Sequence, residues 1–265
     1  MRNIALKVIG GIAFTATVVS TPAWAQDKVV KIGVTPGPHA ETMEFVKDIA
    51  AEKGIDLKVI EFSDYVQPNA ALAAGDLEAN SFQHLPYLEA QVQDRGYDIS
   101  SVAYTITFPM GIYSKKISKL DELQDGARVG IPNDPTNGGR ALLLLESQGL
   151  IKLKEDAGLK ATPLDVVENP KKIKLIELDA AQLPRSLDDL DAAAVNGNYA
   201  AEAGMSAVKD SIALEPAQGP YANIIAVRTA DKDEQWVKDL IDSYHNDKVK
   251  AFVEEKFADS VIVSW

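Results

Sequence analysis

Apolar and polar positions switch between strand-like and helix-like spacing over residues 28–113. Residues 28–34 form a run rich in β-branched side chains, which predicts a buried strand that ends at a Pro-Gly-Pro turn. Residues 41–53 have apolar side chains at helical spacing and stop before Gly54, a typical C-cap. Because strands and helices alternate, this part of the chain predicts a doubly wound parallel sheet. The further predicted elements are strands over 56–62 and 78–82, helices over 69–74 and 84–95, and a β-rich run over 101–113 that Pro109-Met110-Gly111 interrupts.

The same alternation begins again at a short strand over residues 128–131. A turn-rich segment over 132–137 follows, and then a leucine-rich helix over 140–148. Beyond residue 171 the pattern predicts strands over 172–178, 192–195, 212–215 and 221–228, helices over 183–190 and 198–203, and a helical tail over 233–257.

This restart favours two α/β lobes over one. We expect the first lobe to comprise residues 26–108 plus 225–265, and the second to comprise residues 109–224 with the two crossover segments. Ligands of open α/β sheets bind beyond the carboxyl ends of the strands. We therefore expect a ligand cleft where the two lobes face each other.

The N-terminal segment predicts a secretory signal peptide. Arg2 and Lys7 give it a positive start, an apolar run covers residues 8–19, and Ala23-Trp24-Ala25 matches the small-residue rule for cleavage after Ala25. A membrane anchor is the alternative interpretation, but the run is shorter than the roughly 20 residues that a span needs. We expect no stable membrane insertion of the mature chain.

The charge balance and the absence of cysteine exclude several classes of protein. The 265 residues include 27 basic and 39 acidic side chains, for a formal charge of −12, and no cysteine. Without cysteine the sequence offers no disulfide, thiolate metal site, cysteine nucleophile or cysteine lipidation. An acidic surface argues against binding of nucleic acid or anionic membranes. A secreted, acidic, cysteine-free chain suits a bacterial periplasm.

Catalytic and cofactor motifs are missing from the sequence. It has no GxGxxG or Walker loop, no HExxH and no GxSxG, and its three histidines lack metal-ligand spacing. We therefore predict a binding protein without cofactor or metal, and not an enzyme. A secreted hydrolase or lyase on the same scaffold stays open as an alternative, with His84 as the one imidazole in a motif that could act as its base.

Six ordered segments stand out along the chain: Asp64–Asn69, Asn80–Leu88, Pro132–Leu145, Asp165–Pro170, Gln182–Leu187 and Gly219–Asn223. Together they resemble the methionine-binding proteins of the NlpA lipoprotein family, over nearly the whole chain after residue 25. The resemblance implies a two-lobed periplasmic binding protein, type II-like, in which each lobe is a doubly wound mixed sheet with flanking helices. It also implies a monomer that binds methionine and delivers it to an inner-membrane ABC permease.

An amino acid needs partners for both of its charges when it is buried. The resemblance places a carboxylate-binding arginine at Arg140, whose guanidinium can grip two oxygens and which we expect beside a helix start. A surface arginine on an amphipathic helix is the alternative. For the ammonium we choose Asn196 and Asn223, which each lie at or after a β-rich run. Both asparagines could instead be ordinary turn residues.

The side chain of methionine calls for an apolar, aromatic pocket, since thioether sulfur gains about 0.3–1.5 kcal/mol from aromatic contact. Tyr65, Phe82, His84 and Tyr87 lie in the first two motifs and match the family's aromatic pocket. Each could instead belong to the core, and His84 could be structural.

One feature departs from the family. Its members commonly carry a lipidated cysteine directly after the signal peptide, where this chain has Gln26. We therefore expect a released periplasmic protein without a lipid anchor. The ligand also stays open among L-methionine, D-methionine, a methionine derivative, a dipeptide such as Gly-Met and another small amino acid.

Overall fold

The computed structural model describes residues 27–216, 218–258 and 260–265, so the predicted signal peptide lies outside the described residues. Within these ranges, no helix combines the length and apolar character that crossing a membrane requires. The helices are α1 Pro38–Ala51, α2 Gln67–Ala74, α3 Leu85–Arg95, α4 Pro135–Ser147, α5 Leu183–Ser186, α6 Gly197–Glu202, α7 Gln235–Tyr244 and α8 Asp247–Phe257. The strands are β1 Lys28–Val34, β2 Ile55–Glu61, β3 Ala79–Ser81, β4 Ile99–Tyr104, β5 Ile106–Thr107, β6 Gly111–Tyr113, β7 Arg128–Pro132, β8 Lys152–Leu153, β9 Val166–Glu168, β10 Lys174–Leu178, β11 Ala192–Val195, β12 Ala213–Leu214, β13 Ile224–Arg228 and β14 Ile262–Val263.

Two five-stranded mixed sheets form the two lobes, which confirms the predicted fold class. The first sheet has the order β2-β1-β3-β13-β4, with β1 parallel to β2 and β3, and β13 antiparallel to β3 and β4. The second has the order β10-β7-β11-β6-β12, with β7 parallel to β10 and β11, and β6 antiparallel to β11 and β12. We call the parts built on these sheets the first and second lobes. Their residue boundaries stay a prediction.

Each sheet is covered by helices on both faces, which explains why its central strands are apolar throughout. In β13, Ile225 and Val227 face the core beneath α1, α7 and α8, while Ile224 and Ala226 face the core beneath α2 and α3. The alanine-rich β11 divides in the same way between two cores of the second lobe. Strands buried on both faces have this continuous apolar character.

Two chain segments join the lobes, and they pair with each other. The amide of Thr105 donates to the carbonyl of Asn223 at 2.8 Å, and the amide of Asn223 donates to the carbonyl of Ile106 at 2.9 Å. The C-terminal strand β14 then pairs with β5 from the other side. The two crossovers and the C-terminus therefore form a hydrogen-bonded unit at the junction of the lobes.

The second lobe packs closely against this junction at Gly197. A Cβ atom at this position would lie 2.7 Å from the carbonyl oxygen of Pro109 and 2.9 Å from Cβ of Phe108. Glycine is required because any side chain would collide with the crossover backbone.

Three sequence predictions differ from the structure near functional positions. Helix α4 begins at Pro135, inside the segment that was predicted to be a turn, because Asp134 caps the amides of residues 136 and 137 and proline suits the first helical position. Arg140 therefore lies on the second turn of α4, and the expectation that it sits beside the helix start is wrong. Strand β13 begins at Ile224, so Asn223 lies just before it, in a single bridge with His84. Helix α5 stops at Ser186, four residues before the predicted end.

Candidate functional site

One pocket between the lobes is lined by all seven residues that the sequence singled out. About 340 Å³ of empty space lies within it, a figure that includes space open to solvent. Its other lining residues are Gln83, Phe108, Asn137, Gly197, Asn198 and Tyr221. The predicted residues are Tyr65, Phe82, His84, Tyr87, Arg140, Asn196 and Asn223.

The pocket lies where the strands of both sheets end, as expected for open α/β sheets. Tyr65 follows β2, and Phe82 and His84 follow β3. Asn196 directly follows β11, which belongs to the second lobe. Asn223 precedes β13, and because this strand runs antiparallel to β3 its start lies at the same edge of the sheet.

Arg140 is held rigidly inside the second lobe. Its Nε donates to the two carboxylate oxygens of Glu215 at 3.0 and 3.1 Å. Its Nη2 donates to Glu215 at 2.5 Å and to the carbonyl of Phe108 at 2.8 Å. The ring of Tyr221 stacks on the guanidinium, 4.0 Å from Cζ to the ring centroid. These partners occupy the Nε and Nη2 donors, whereas the two Nη1 hydrogens have no acceptor among the described residues.

Glu215 changes the expected role of Arg140. The carboxylate of Glu215 lies on the Nε–Nη2 edge, the edge that a bidentate grip on a ligand commonly uses. It also accepts the amide of Met110 at 3.0 Å and is largely buried. A ligand carboxylate is therefore left with the Nη1 edge of a guanidinium whose charge is already paired.

Asn196 presents a buried oxygen without a partner. Its Nδ2 donates to Oδ1 of Asn137 at 2.8 Å, while its own Oδ1 has no hydrogen-bond donor among the described residues. Asn223 is fixed at its nitrogen, which lies 3.1 Å from Nε2 of His39. Burial lowers the pKa of His39 to about 3, so a neutral ring accepts this bond at neutral pH. Each amide thus uses its nitrogen within the protein.

The aromatic residues form a cluster with engaged polar atoms. The rings of Tyr65, Phe82 and Tyr87 lie 6.0–6.1 Å apart between centroids. The hydroxyl of Tyr65 donates to Oδ1 of Asn198 at 2.6 Å, and that of Tyr87 donates to the carbonyl of Tyr65 at 2.9 Å. Because both hydroxyls are used, the rings contribute mainly apolar surface to the pocket.

His84 is neutral and has both ring nitrogens bound. Burial and the nearby charge of Arg140 lower its pKa to about 3. Its Nδ1 accepts the amide of Tyr87 at 3.1 Å, and its Nε2 lies 3.2 Å from Oδ1 of Asn137. These bonds orient the ring and leave no free nitrogen for a general base. Within the described residues, no cluster of three or more side chains suited to a metal ion occurs.

Sequence reasoning missed three polar residues that complete the site. Asn137 lies in a segment whose composition predicts a turn, and its amide joins Asn196 to Asp134. Glu215 reaches Arg140 across 75 positions of the chain, which no local pattern reveals. His39 lies outside every motif that the sequence analysis identified. Two quoted motifs did contain unassigned residues of the pocket, since Pro132–Leu145 includes Asn137 and Gly219–Asn223 includes Tyr221.

Comparisons with known proteins find relatives that cover most of the chain. The D-methionine-binding lipoprotein MetQ of Escherichia coli (strain K12) is 47% identical over 239 residues, which are 89% of this chain and 88% of that relative. A nutrient binding protein from Burkholderia cenocepacia, solved bound to methionine, is 54% identical with a TM-score of 0.88, covering 89% of this chain and 100% of that one. An ABC transporter periplasmic substrate-binding protein from Coxiella burnetii is 47% identical with a TM-score of 0.85, covering 89% and 100%.

The family model described as NlpA lipoprotein matches residues 30–265. This match spans both lobes and every residue of the pocket, and it confirms the resemblance that the sequence motifs indicated. The chain belongs to the NlpA lipoprotein family.

Proposed function

We propose that this protein is the substrate-binding component of an ABC importer and that it binds methionine between its lobes. The observation that carries the proposal is the composition of one small pocket. It combines a guanidinium with free Nη1 hydrogens, a buried amide oxygen without a donor, and a cluster of aromatic rings. The relatives named above supply the methionine and transporter assignments.

The carboxylate of the ligand binds the Nη1 edge of Arg140. Charge-assisted hydrogen bonds of this kind are stronger than neutral ones. Glu215, Phe108 and Tyr221 keep the guanidinium in place before the ligand arrives, so little side-chain freedom is lost on binding.

The ammonium of the ligand is accepted by the side-chain oxygens of Asn196 and Asn223. Without a ligand donor, the buried oxygen of Asn196 stays an unsatisfied acceptor, which destabilises the protein by about 1–3 kcal/mol. A ligand N–H group removes that cost, which gives the site a preference for a donor at this position.

The side chain of the ligand packs on Tyr65, Phe82 and Tyr87. These rings present apolar surface because their hydroxyl groups are bound elsewhere in the protein. A thioether fits this surface better than a charged or hydroxylated side chain, since the latter would find no free polar partner there.

Closure of the lobes accompanies binding. Tyr65 of the first lobe donates to Asn198 of the second, and His84 of the first lobe bonds Asn137 of the second. A ligand that contacts both lobes stabilises this closed arrangement, and the closed form docks on the permease.

The mature protein acts as a monomer in the periplasm without a lipid anchor and has no enzymatic activity of its own. The positive start, apolar run and Ala-Trp-Ala sequence before Gln26 support export and cleavage after Ala25. The absence of cysteine from the 265 residues supports release, although the Escherichia coli relative is called a lipoprotein. The mass of the protein released from the periplasm tests this, because an attached lipid or an uncleaved leader would raise it.

A thermal-shift panel on ligand-stripped protein tests the ligand assignment. The panel contains L-methionine, D-methionine, Gly-Met, leucine and glutamate. We expect a large upward shift of Tm with methionine and none with glutamate, because the aromatic cluster has no partner for a second carboxylate. A shift with Gly-Met alone would replace the free amino acid with a dipeptide, and no shift with any methionine compound would contradict the proposal.

A further inference from the structure

The orientation of one amide decides which chemistry the pocket presents. The side chain of Asn196 is buried, and its two amide atoms, Oδ1 and Nδ2, differ little in shape. With Oδ1 toward the ligand, the residue accepts from an ammonium. With Nδ2 toward the ligand, it would place a second donor against that cation. Selectivity for an amino group therefore depends on what fixes this amide.

The carboxylate of Asp134 fixes the neighbouring amide of Asn137. Nδ2 of Asn137 lies 3.1 and 3.0 Å from the two carboxylate oxygens. Burial raises the pKa of Asp134, while the hydrogen bonds that it accepts from residues 136 and 137 lower this pKa and favour the ionised form. An ionised carboxylate can only accept hydrogen bonds, so Asn137 turns its nitrogen toward Asp134. Its oxygen must then point away, toward the pocket side of helix α4.

That oxygen in turn fixes Asn196. Oδ1 of Asn137 lies 2.8 Å from Asn196, and only the Nδ2 of Asn196 can donate to it. The Oδ1 of Asn196 is left on the opposite side, and this is the buried atom without a donor.

An independent contact points the same way. Nδ1 of His84 accepts the backbone amide of Tyr87, so the ring hydrogen resides on Nε2. That Nε2 then donates to the same Oδ1 of Asn137 at 3.2 Å. Asn137 therefore meets an obligate acceptor at one end and a donor at the other, and the reversed orientation would lose both.

We infer that Asp134, Asn137 and Asn196 form a directional amide relay that makes the pocket selective for a ligand bearing an ammonium. Asp134 is a positioning residue, since it does not line the pocket itself. The inference rests on the proposed function, because it assigns the ammonium of the bound ligand to Asn196.

The variant Asp134→Asn tests the relay with little effect on the fold. Asparagine caps helices about as well as aspartate, so the start of α4 is preserved. An amide at position 134 can accept or donate, however, so it no longer dictates the orientation of Asn137. Only the 3.2 Å bond from Nε2 of His84 then favours the original orientation. The measurement is the ratio of Kd values for L-methionine and for 2-hydroxy-4-(methylsulfanyl)butanoate, which has a hydroxyl in place of the ammonium.

Complete loss of a hydrogen bond to a charged group, worth about 1.5–3 kcal/mol, would reduce the preference for methionine over the hydroxy acid about tenfold or more. Because the His84 bond remains in Asp134→Asn, we expect a fall of roughly 3- to 10-fold in this variant. Asn137→Ala keeps the charge of Asp134 but breaks the link, and it should lose the preference similarly. Asp165→Asn makes the same chemical change at another aspartate that accepts local backbone bonds, outside the pocket, and should leave the ratio unchanged.

The outcomes separate the relay from the function on which it rests. A wild type that binds neither compound overturns the proposed function and the relay together. A wild type that binds methionine, with an unchanged ratio in Asp134→Asn, overturns the relay alone. A ratio that falls in Asp134→Asn but not in Asn137→Ala would mean that the charge of Asp134 acts directly on the ligand, which also overturns the relay.

Discussion

The pair formed by Arg140 and Glu215 allows carboxylate capture to be separated from folding. Changing Arg140 to methionine removes the proposed ligand contact, but it also leaves the buried carboxylate of Glu215 with the amide of Met110 as its remaining partner. Breaking a buried ion pair by removal of one partner costs about 3–5 kcal/mol. The single variant Arg140→Met should therefore bind no ligand and also unfold at a lower urea concentration.

The double variant Arg140→Met/Glu215→Gln removes both charges. The double variant leaves no buried charge without its partner, which is the main cost of the single variant, so we expect much of the lost free energy of unfolding to return. Ligand affinity should not return. Two charge-assisted hydrogen bonds from Nη1 are worth about 1.5–3 kcal/mol each, which corresponds to a loss of about 10²- to 10⁴-fold in Kd.

Urea unfolding gives the stability of the three proteins, and isothermal titration calorimetry gives their affinity for methionine. Glu215→Gln alone serves as the matched control, because it keeps the guanidinium. A double variant that is stable and binds within tenfold of the wild type would refute the assignment of the ligand carboxylate to Arg140. A double variant as unstable as the single one would refute the energetic role given to Glu215.

Three further changes test other parts of the structure. Tyr65→Phe removes the 2.6 Å bond between the lobes to Asn198, so the Kd for methionine measured by calorimetry should rise about 2- to 10-fold. His39 and His84 have folded-state pKa values lowered from 6.5 to about 3, so the unfolded chain binds more protons below pH 6.5. The contribution of these histidines to the free energy of unfolding is therefore fully present above pH 6.5. It should fall toward pH 3 by up to about 1.4 kcal/mol per pH unit for each histidine, as measured by urea unfolding. Gly139→Ala places a Cβ in collision with the backbone carbonyl oxygen of Leu159, and the free energy of unfolding should drop by about 1–3 kcal/mol.

Each of these predictions has a control or a result that would contradict it. Tyr97→Phe lies outside the pocket and should leave Kd unchanged, and an equal effect of both tyrosine changes would argue against the contact between the lobes. His84→Gln should reduce the slope of stability against pH by the share of one histidine, whereas an identical slope would contradict the neutral buried ring. Unaltered stability of Gly139→Ala would show that the backbone yields at this contact.

Much of the fold could be predicted because local signals agreed with it. The run at β11 is apolar at every position, as a strand covered on both faces requires, and its predicted range matches the structure. The loops after β2 and β3 carried aromatic residues at the ends of strands, which is why the chosen residues meet in one pocket. The ligand-binding roles of those residues stay predictions.

The remainder depends on contacts between distant parts of the chain. The segment from Pro132 to Asn137 has the composition of a turn, and only the capping bonds of Asp134 convert its second half into helix. Glu215 is one of many acidic residues on an acidic chain, and its importance arises from its position against Arg140 after folding. The amide orientations of the relay depend on the contact between Asn137 and Asn196, which lie 59 positions apart, so hydrophobic periodicity could not predict them.

The central claim is that methionine binds between the lobes through both of its charged groups. Isothermal titration calorimetry of refolded, ligand-stripped protein with methionine and with 4-(methylsulfanyl)butanoate, which lacks the ammonium, tests this claim most directly. We predict saturable heat with one methionine per chain, and binding of the deaminated acid that is weaker by about tenfold or more. No heat with either enantiomer of methionine at tens of micromolar protein, or equal affinity for the deaminated acid, would contradict the account.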